Sequence, residues 1–252
     1  MRELLYAANW KMNVGPAETR AYATEFLAAV PVVKGRSIWF FPPAVSLAAA
    51  ADAFRGRPDI RVGAQDIHWE PSGAYTGATS IPLAVAGGAT AALVGHSERR
   101  HVFGETDEET GRKVRASIAG GLLPVLCVGE RLEEREAGQT EAVVQRQLQA
   151  GLAGVDPKEL GRVLIAYEPV WAIGTGKNAT PADAALVHHH IRQHLEQRGA
   201  RERIRVLYGG SVKTGNVQAL LAEPELDGVL VGGASLEPAG WAKLVAPARD
   251  RA

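Results

Sequence analysis

Eight short apolar runs recur along the chain, each followed by a longer stretch of helical periodicity, and this alternation limits the fold more than any other feature. The runs are Leu4–Trp10, Ser37–Phe41, Ile60–Gln65, Ala91–Val94, Leu123–Val128, Arg162–Tyr167, Ile204–Tyr208 and Gly228–Val231. Several are nearly continuous rather than alternating, as in parallel strands covered on both faces. Between them, Ala17–Val30, Thr106–Gly120, Thr140–Leu152 and Pro181–Arg198 carry helical patterns. Thr180 is a suitable N-cap for the last of these, with Pro181 at its first position and Gly199 past its end. Units of roughly 30 residues, repeated in structure but not in sequence, predict a (β/α)8 barrel, the TIM-barrel α/β architecture. The pattern by itself also admits an open doubly wound sheet. With no Ser/Gly-rich linker or break in composition, a single domain over residues 1–252 is expected.

Charge narrows the class of partner. Lys plus Arg and Asp plus Glu are both 28, so the formal net charge is zero and neither nucleic acid nor a membrane surface is an expected partner. The apolar runs fall far short of a membrane span, and Met1–Tyr6 does not read as a secretory signal. A single cysteine, Cys127, excludes an intramolecular disulfide and fits a reducing, cytoplasmic setting.

The polar residues fall at equivalent places. Asn9 and Lys11 end the first run, His96-Ser97-Glu98 the fourth, Glu168 the sixth, Gly209-Gly210-Ser211 the seventh and Gly232-Gly233 the eighth. In a barrel these points share the C-terminal rim, where such folds hold their active sites. In Tyr167-Glu168-Pro169-Val170-Trp171-Ala172-Ile173-Gly174-Thr175-Gly176-Lys177, a strand delivers one carboxylate to its tip and a glycine-bearing loop follows. Taken alone, such a Glu-Pro is also the pattern of a solvated acidic loop.

Six blocks carry a family resemblance: Asn9-Trp10-Lys11-Met12-Asn13, Gly95-His96-Ser97-Glu98-Arg99-Arg100, Cys127-Val128-Gly129-Glu130, the Tyr167–Gly176 run, Tyr208-Gly209-Gly210-Ser211-Val212 and Val231-Gly232-Gly233-Ala234-Ser235-Leu236. In their order and nearly full span, they resemble the triosephosphate isomerase family. The resemblance implies cofactor-independent interconversion of dihydroxyacetone phosphate and D-glyceraldehyde 3-phosphate through an enediol or enediolate, within glycolysis and gluconeogenesis. It implies Glu168 as the base that moves a carbon-bound proton, a role that suits a partly dried carboxylate. His96, at the start of a helical turn, is the expected neutral imidazole donor. Lys11 supplies fixed positive charge, Asn9 a neutral donor, and Glu98 orients Lys11 or the rim network. Backbone amides of Gly232, Gly233, Ser211 and Gly174 are the expected phosphate contacts. The loop Ala172–Gly176, hinged at Pro169–Trp171 and Lys177–Ala179, is the expected lid that dries the base. The long segment Asp66–Gly77 resembles the family's dimer loop, which implies a homodimer, or a higher assembly, in which Thr76 reaches the partner's site.

Other signals carry less. Gly174-Thr175-Gly176-Lys177 lies too far beyond its strand for a dinucleotide fingerprint and lacks the Ser or Thr of a P-loop. His188-His189-His190 with His194 offers no HExxH carboxylate, so no metal is expected and the histidines read as solvated. Cys127 reads as a packed thiol. Two other functions compete with the isomerase. One is a different phosphosugar barrel enzyme, an aldolase or epimerase, for which Lys11 would be the Schiff-base candidate. The other is a catalytically silent barrel that binds a phosphorylated metabolite.

Overall fold

Runs of β-branched, aromatic and small apolar residues form strands here because both of their faces meet protein. The computed structural model describes residues 3–173 and 179–246. Its strands are β1 (Leu4–Asn9), β2 (Arg36–Phe41), β3 (Ile60–Ala64), β4 (Ala91–Val94), β5 (Leu123–Val128), β6 (Leu164–Tyr167), β7 (Val206–Tyr208) and β8 (Gly228–Val231). They pair in parallel and in sequence order, and β8 returns to β1 with Leu5 opposite Gly228, closing an eight-stranded barrel. The open-sheet alternative is therefore excluded.

Two strands start later than the sequence pattern suggests. Pro157–Arg162 is a 3-10 turn in which the Asp156 side chain accepts from Lys158 N at 2.8 Å, so β6 begins only at Leu164. Before β7, the Ile204 carbonyl accepts from Arg192 at 2.8 Å and Val206 N donates to the buried Asp227 carboxylate at 2.9 Å. The helix Pro181–Gln197 is capped as its sequence implies, with Thr180 Oγ1 accepting from Asp183 N at 3.1 Å.

Side chains divide into two cores. Leu5, Ala7, Trp39, Phe41, Ala91, Leu93, Val125, Cys127, Leu164, Ala166, Leu207 and Leu230 fill the barrel interior. Their neighbours in sequence, such as Tyr6, Ala8, Phe40 and Val94, face the surrounding helices. Trp10, fully buried just past β1, stands 4.8 Å from Tyr22 and 5.5 Å from Phe40 between ring centroids. Such aromatic pairs add roughly 0.5–1.5 kcal/mol each beyond area burial. Anchoring Trp10 outward also fixes its two neighbours, Asn9 and Lys11, toward the axis.

One histidine departs from the solvated reading. His188 is fully buried, edge-on to Tyr167, with Nδ1 3.3 Å from the Glu225 carbonyl. Burial pushes its pKa down to about 3. An unfolded chain takes up a proton on this ring near pH ~6.5, whereas the folded chain resists until far lower pH. Its contribution to stability is complete above that pH and is lost as pH falls from there toward 3. Between pH 7 and 5 the loss is on the order of 2 kcal/mol. His188→Leu should therefore flatten the pH dependence of unfolding by urea over this window; an unchanged slope would contradict the assignment.

Candidate active site

Inward positions repeat every second residue, and at the C-terminal rim the series run from apolar to polar side chains. Leu5 and Ala7 lead to Asn9, and Leu164 and Ala166 lead to Glu168. On β7 and β8, Leu207 leads to Gly209 and Leu230 to Gly232, which opens space at the same level. The result is a cleft of about 270 Å³ lined by Asn9, Lys11, His96, Glu168, Ser211, Gly232 and Gly233, among others. Residues as far apart in sequence as Asn9 and Ala234 thus meet at one mouth.

A larger depression of about 1050 Å³ lies at the opposite mouth, around Trp39, Arg61 and Arg205. Some of its charges pair locally, Arg205 with Glu3 at 2.9 Å and Arg203 with Asp227 at 3.0 Å. It contains none of the rim residues, so the smaller cleft is the candidate site.

Glu168 is buried and both of its oxygens are engaged. Oε1 lies 3.1 Å from His96 Nε2, and Oε2 accepts from Ser97 N at 2.9 Å. Burial would raise the carboxyl pKa, but the His96 imidazole, the Ser97 amide and the Lys11 charge together hold it below the usual carboxylate range. In this arrangement Glu168, although buried, is a weaker base than a free carboxylate. Acceptance from Ser97 N is a contact that no side-chain pattern announces.

His96 caps the short helix Ser97–His101, its Nδ1 accepting from Glu98 N at 3.2 Å. A nitrogen that accepts carries no proton, so the neutral ring holds its proton on Nε2, facing Glu168 and the cleft. Burial opposes charging of this ring, yet the Glu168 carboxylate, by charge and hydrogen bond, together with Glu98, holds the pKa above the ordinary histidine value. Asn9 Nδ2 lies 3.3 Å from the same Nε2, so two donors converge on one point. Asn9 Oδ1 accepts from Lys11 N at 3.0 Å, which sets the amide's orientation.

Lys11 adopts a left-handed backbone, φ 52°, uncommon for a residue with a side chain. Gln65 Nε2 donates to both the Lys11 and Phe41 carbonyls at 2.8 Å and so secures that turn. The Lys11 ammonium pairs with the Glu98 carboxylate. An ammonium held this way is suited to a fixed charge rather than to a Schiff-base nucleophile. Its stem runs beside Gly232, where a Cβ would lie 3.1 Å from Lys11 Cε.

Two residues carry roles that the sequence reading does not assign. Gln65 ends a strand run and looks like an ordinary polar terminator. Glu130 is wholly buried and accepts from Tyr167 Oη at 3.1 Å and Trp171 Nε1 at 2.9 Å, which fixes the chain on either side of Glu168. The Cys127 thiol, inside the barrel, is pushed well up by burial and by the Glu168 charge. Gly174 and the rest of 174–178, hence most of the expected lid, lie outside the described residues. Thr76 is exposed in the loop between β3 and the next helix, away from the residues lining the cleft. Among the described residues no helix is long and apolar enough to cross a membrane.

Comparison with known proteins agrees with this geometry. The sequence model of the triosephosphate isomerase family matches residues 4–248. A Solibacter usitatus protein named triosephosphate isomerase is 48% identical over 248 residues, which span 97% of this chain and 99% of that relative. Proteins of the same name from Roseiflexus sp. and Aquifex aeolicus are 47% and 46% identical, each over 97% of this chain and covering 97% and 99% of theirs.

Removing the Glu168 charge leaves burial to act on His96 with less opposition. Glu168→Gln should therefore lower the imidazole pKa, as read from the pH titration of its 15N resonances. A value that stayed put or rose would mean that the carboxylate is not the group holding it up.

Proposed function

The chain belongs to the triosephosphate isomerase family and is an isomerase of triose phosphates, and on that premise we propose how its residues perform the reaction. Glu168 is the base that removes a proton from one substrate carbon and returns it to the neighbouring carbon. Neutral His96 is the electrophile, donating from Nε2 to the substrate oxygen on which enediolate charge develops. Asn9 Nδ2 donates to the same region. The observation that carries this reading is the meeting of Asn9 Nδ2, His96 Nε2 and the Glu168 carboxylate within 3.3 Å contacts at the floor of one cleft.

Glu168 cannot abstract a proton while bonded to His96 and Ser97 N. Substrate entering between the carboxylate and the imidazole would take the His96 proton for its own oxygen. That exchange removes the chief group depressing the carboxyl pKa, and burial then makes Glu168 more basic. Binding thereby activates the base. Lys11 balances the substrate's negative charge, and the Glu98 carboxylate holds the ammonium in place.

The phosphate belongs at the side of the cleft formed by Ser211, Gly232 and Gly233, where backbone amides with little side-chain cover can approach an anion. Gly174, expected from sequence to add an amide, is part of the same proposal. The Lys11 stem against Gly232 links this end of the cleft to the reacting end. We also propose a homodimer, formed through the loop 66–77 and bringing Thr76 to the partner's cleft. Support comes from exposed Tyr75, Leu83 and Phe103, apolar side chains that a partner would cover.

The reading is tested with the purified protein and glyceraldehyde 3-phosphate, without added metal or cofactor. Isomerisation is expected, and Glu168→Asp, which withdraws the carboxylate by one methylene, should lower kcat about 100-fold or more with the fold intact. Full kcat in that variant would remove Glu168 from the role of base. For the assembly, sedimentation should show a dimer that Thr76→Arg weakens, together with kcat. A wild-type monomer with full activity would overturn that part.

A further inference from the structure

We infer that Arg100 is a positioning residue for His96, acting through the Gly95–His96 peptide; the inference rests on the reading of His96 as the electrophile. On β4, Ala91 and Leu93 face the barrel interior while Ala92 and Val94 face the helices. Continued unbroken, that alternation would aim His96 outward, yet its ring lines the cleft. The reversal occurs at Gly95, which is left-handed at φ 69°.

Charged side chains secure both flanks of this glycine. Gly95 N donates to Glu105 Oε1 at 3.1 Å, and Arg100 Nε donates to the Gly95 carbonyl at 2.7 Å. The first contact constrains rotation before the Gly95 Cα and the second constrains rotation after it. The carbonyl held by Arg100 belongs to the same rigid peptide plane as the His96 nitrogen. Arg100 therefore governs directly where the His96 side chain leaves the backbone.

The arginine itself is tied down. Its Nη1 donates to Asp107 at 2.5 Å and its Nη2 to the Cys127 carbonyl, at the end of β5, at 3.3 Å. Its side chain is only 7% exposed. The guanidinium fork thus joins the exit of β4 to the exit of β5. A Cβ on Gly95 would lie 2.7 Å from Arg100 Nη2, so the glycine and the arginine require each other. A lysine at position 100 keeps the charge but cannot serve two carbonyls and a carboxylate from one planar group. Arg100 touches no reacting atom, and its effect passes through His96.

The experiment compares wild type, Arg100→Lys, His96→Gln and the double variant, with circular dichroism and sedimentation to check fold and assembly. Arg100→Lys should lower kcat about 100-fold while KM changes less than about threefold, as expected for a misplaced electrophile. In the His96→Gln background the same change should lower kcat by less than about threefold, because both substitutions remove one function. Losses that multiply in the double variant would show Arg100 acting apart from His96 and overturn the inference. So would an Arg100→Lys enzyme with unaltered kcat. If Arg100→Lys does not fold, Arg100→Gln replaces it, since Asp107 keeps Arg146 as a partner and no buried charge is left alone. Wild-type kcat in the Gln variant overturns the inference equally. Unaltered kcat in His96→Gln alone would instead remove the electrophile reading, and this inference with it.

Discussion

The interior of the barrel is sealed by its own side chains, and that single condition places the chemistry. Twelve buried residues fill the lumen, so a polar group inside it would be cut off from water without partners. The strands can turn polar only where the lumen opens. Because inward positions recur every second residue, Asn9 and Glu168 are simply the next inward steps after Ala7 and Ala166. The packing rule that fills the core therefore also aims the functional groups.

At the rim, two influences on the Glu168 carboxyl oppose each other. Burial favours its neutral form, while the imidazole, an amide and an ammonium favour its charge. In the arrangement described, the second influence prevails. The site holds the carboxylate proposed as the base as a hydrogen-bonded anion, and the imidazole that holds it is the same group proposed to engage the substrate oxygen. In the proposed mechanism, one displaced hydrogen bond serves both to bind and to raise basicity. The Glu98 amide on Nδ1 fixes the tautomer of the neutral ring proposed for His96, while the Glu168 charge favours the protonated ring.

Much of this is legible in the sequence because it depends on neighbours along the chain. The strand and helix runs, the Thr180 cap, and the placement of Asn9, Lys11, His96 and Glu168 at strand ends all follow from local patterns. What stays hidden depends on partners distant in sequence. Ser97 N reaches Glu168 across 71 positions, and Gln65 reaches Lys11 across 54. Burial of His188 is equally hidden, because three adjacent histidines on a helix point in three directions and only the tertiary packing selects one. The late start of β7 has the same origin: Ile204 spends its carbonyl on Arg192, and no pattern in Ile204–Tyr208 reveals that. His96 is intermediate. Its place at a strand end is plain, but its entry to the cleft needs the left-handed Gly95 and the two charged groups that grip it.

The left-handed turn at Lys11 sets heat resistance against the charge proposed to serve turnover. A left-handed conformation costs a side-chain-bearing residue roughly 1–2 kcal/mol, a penalty that glycine escapes. Laboratory evolution that rewarded only survival on heating would welcome glycine there, and each such winner would forfeit its ammonium. One codon therefore couples folding reserve to the charge proposed for catalysis, and a lineage improved in the first by this route would lose the second.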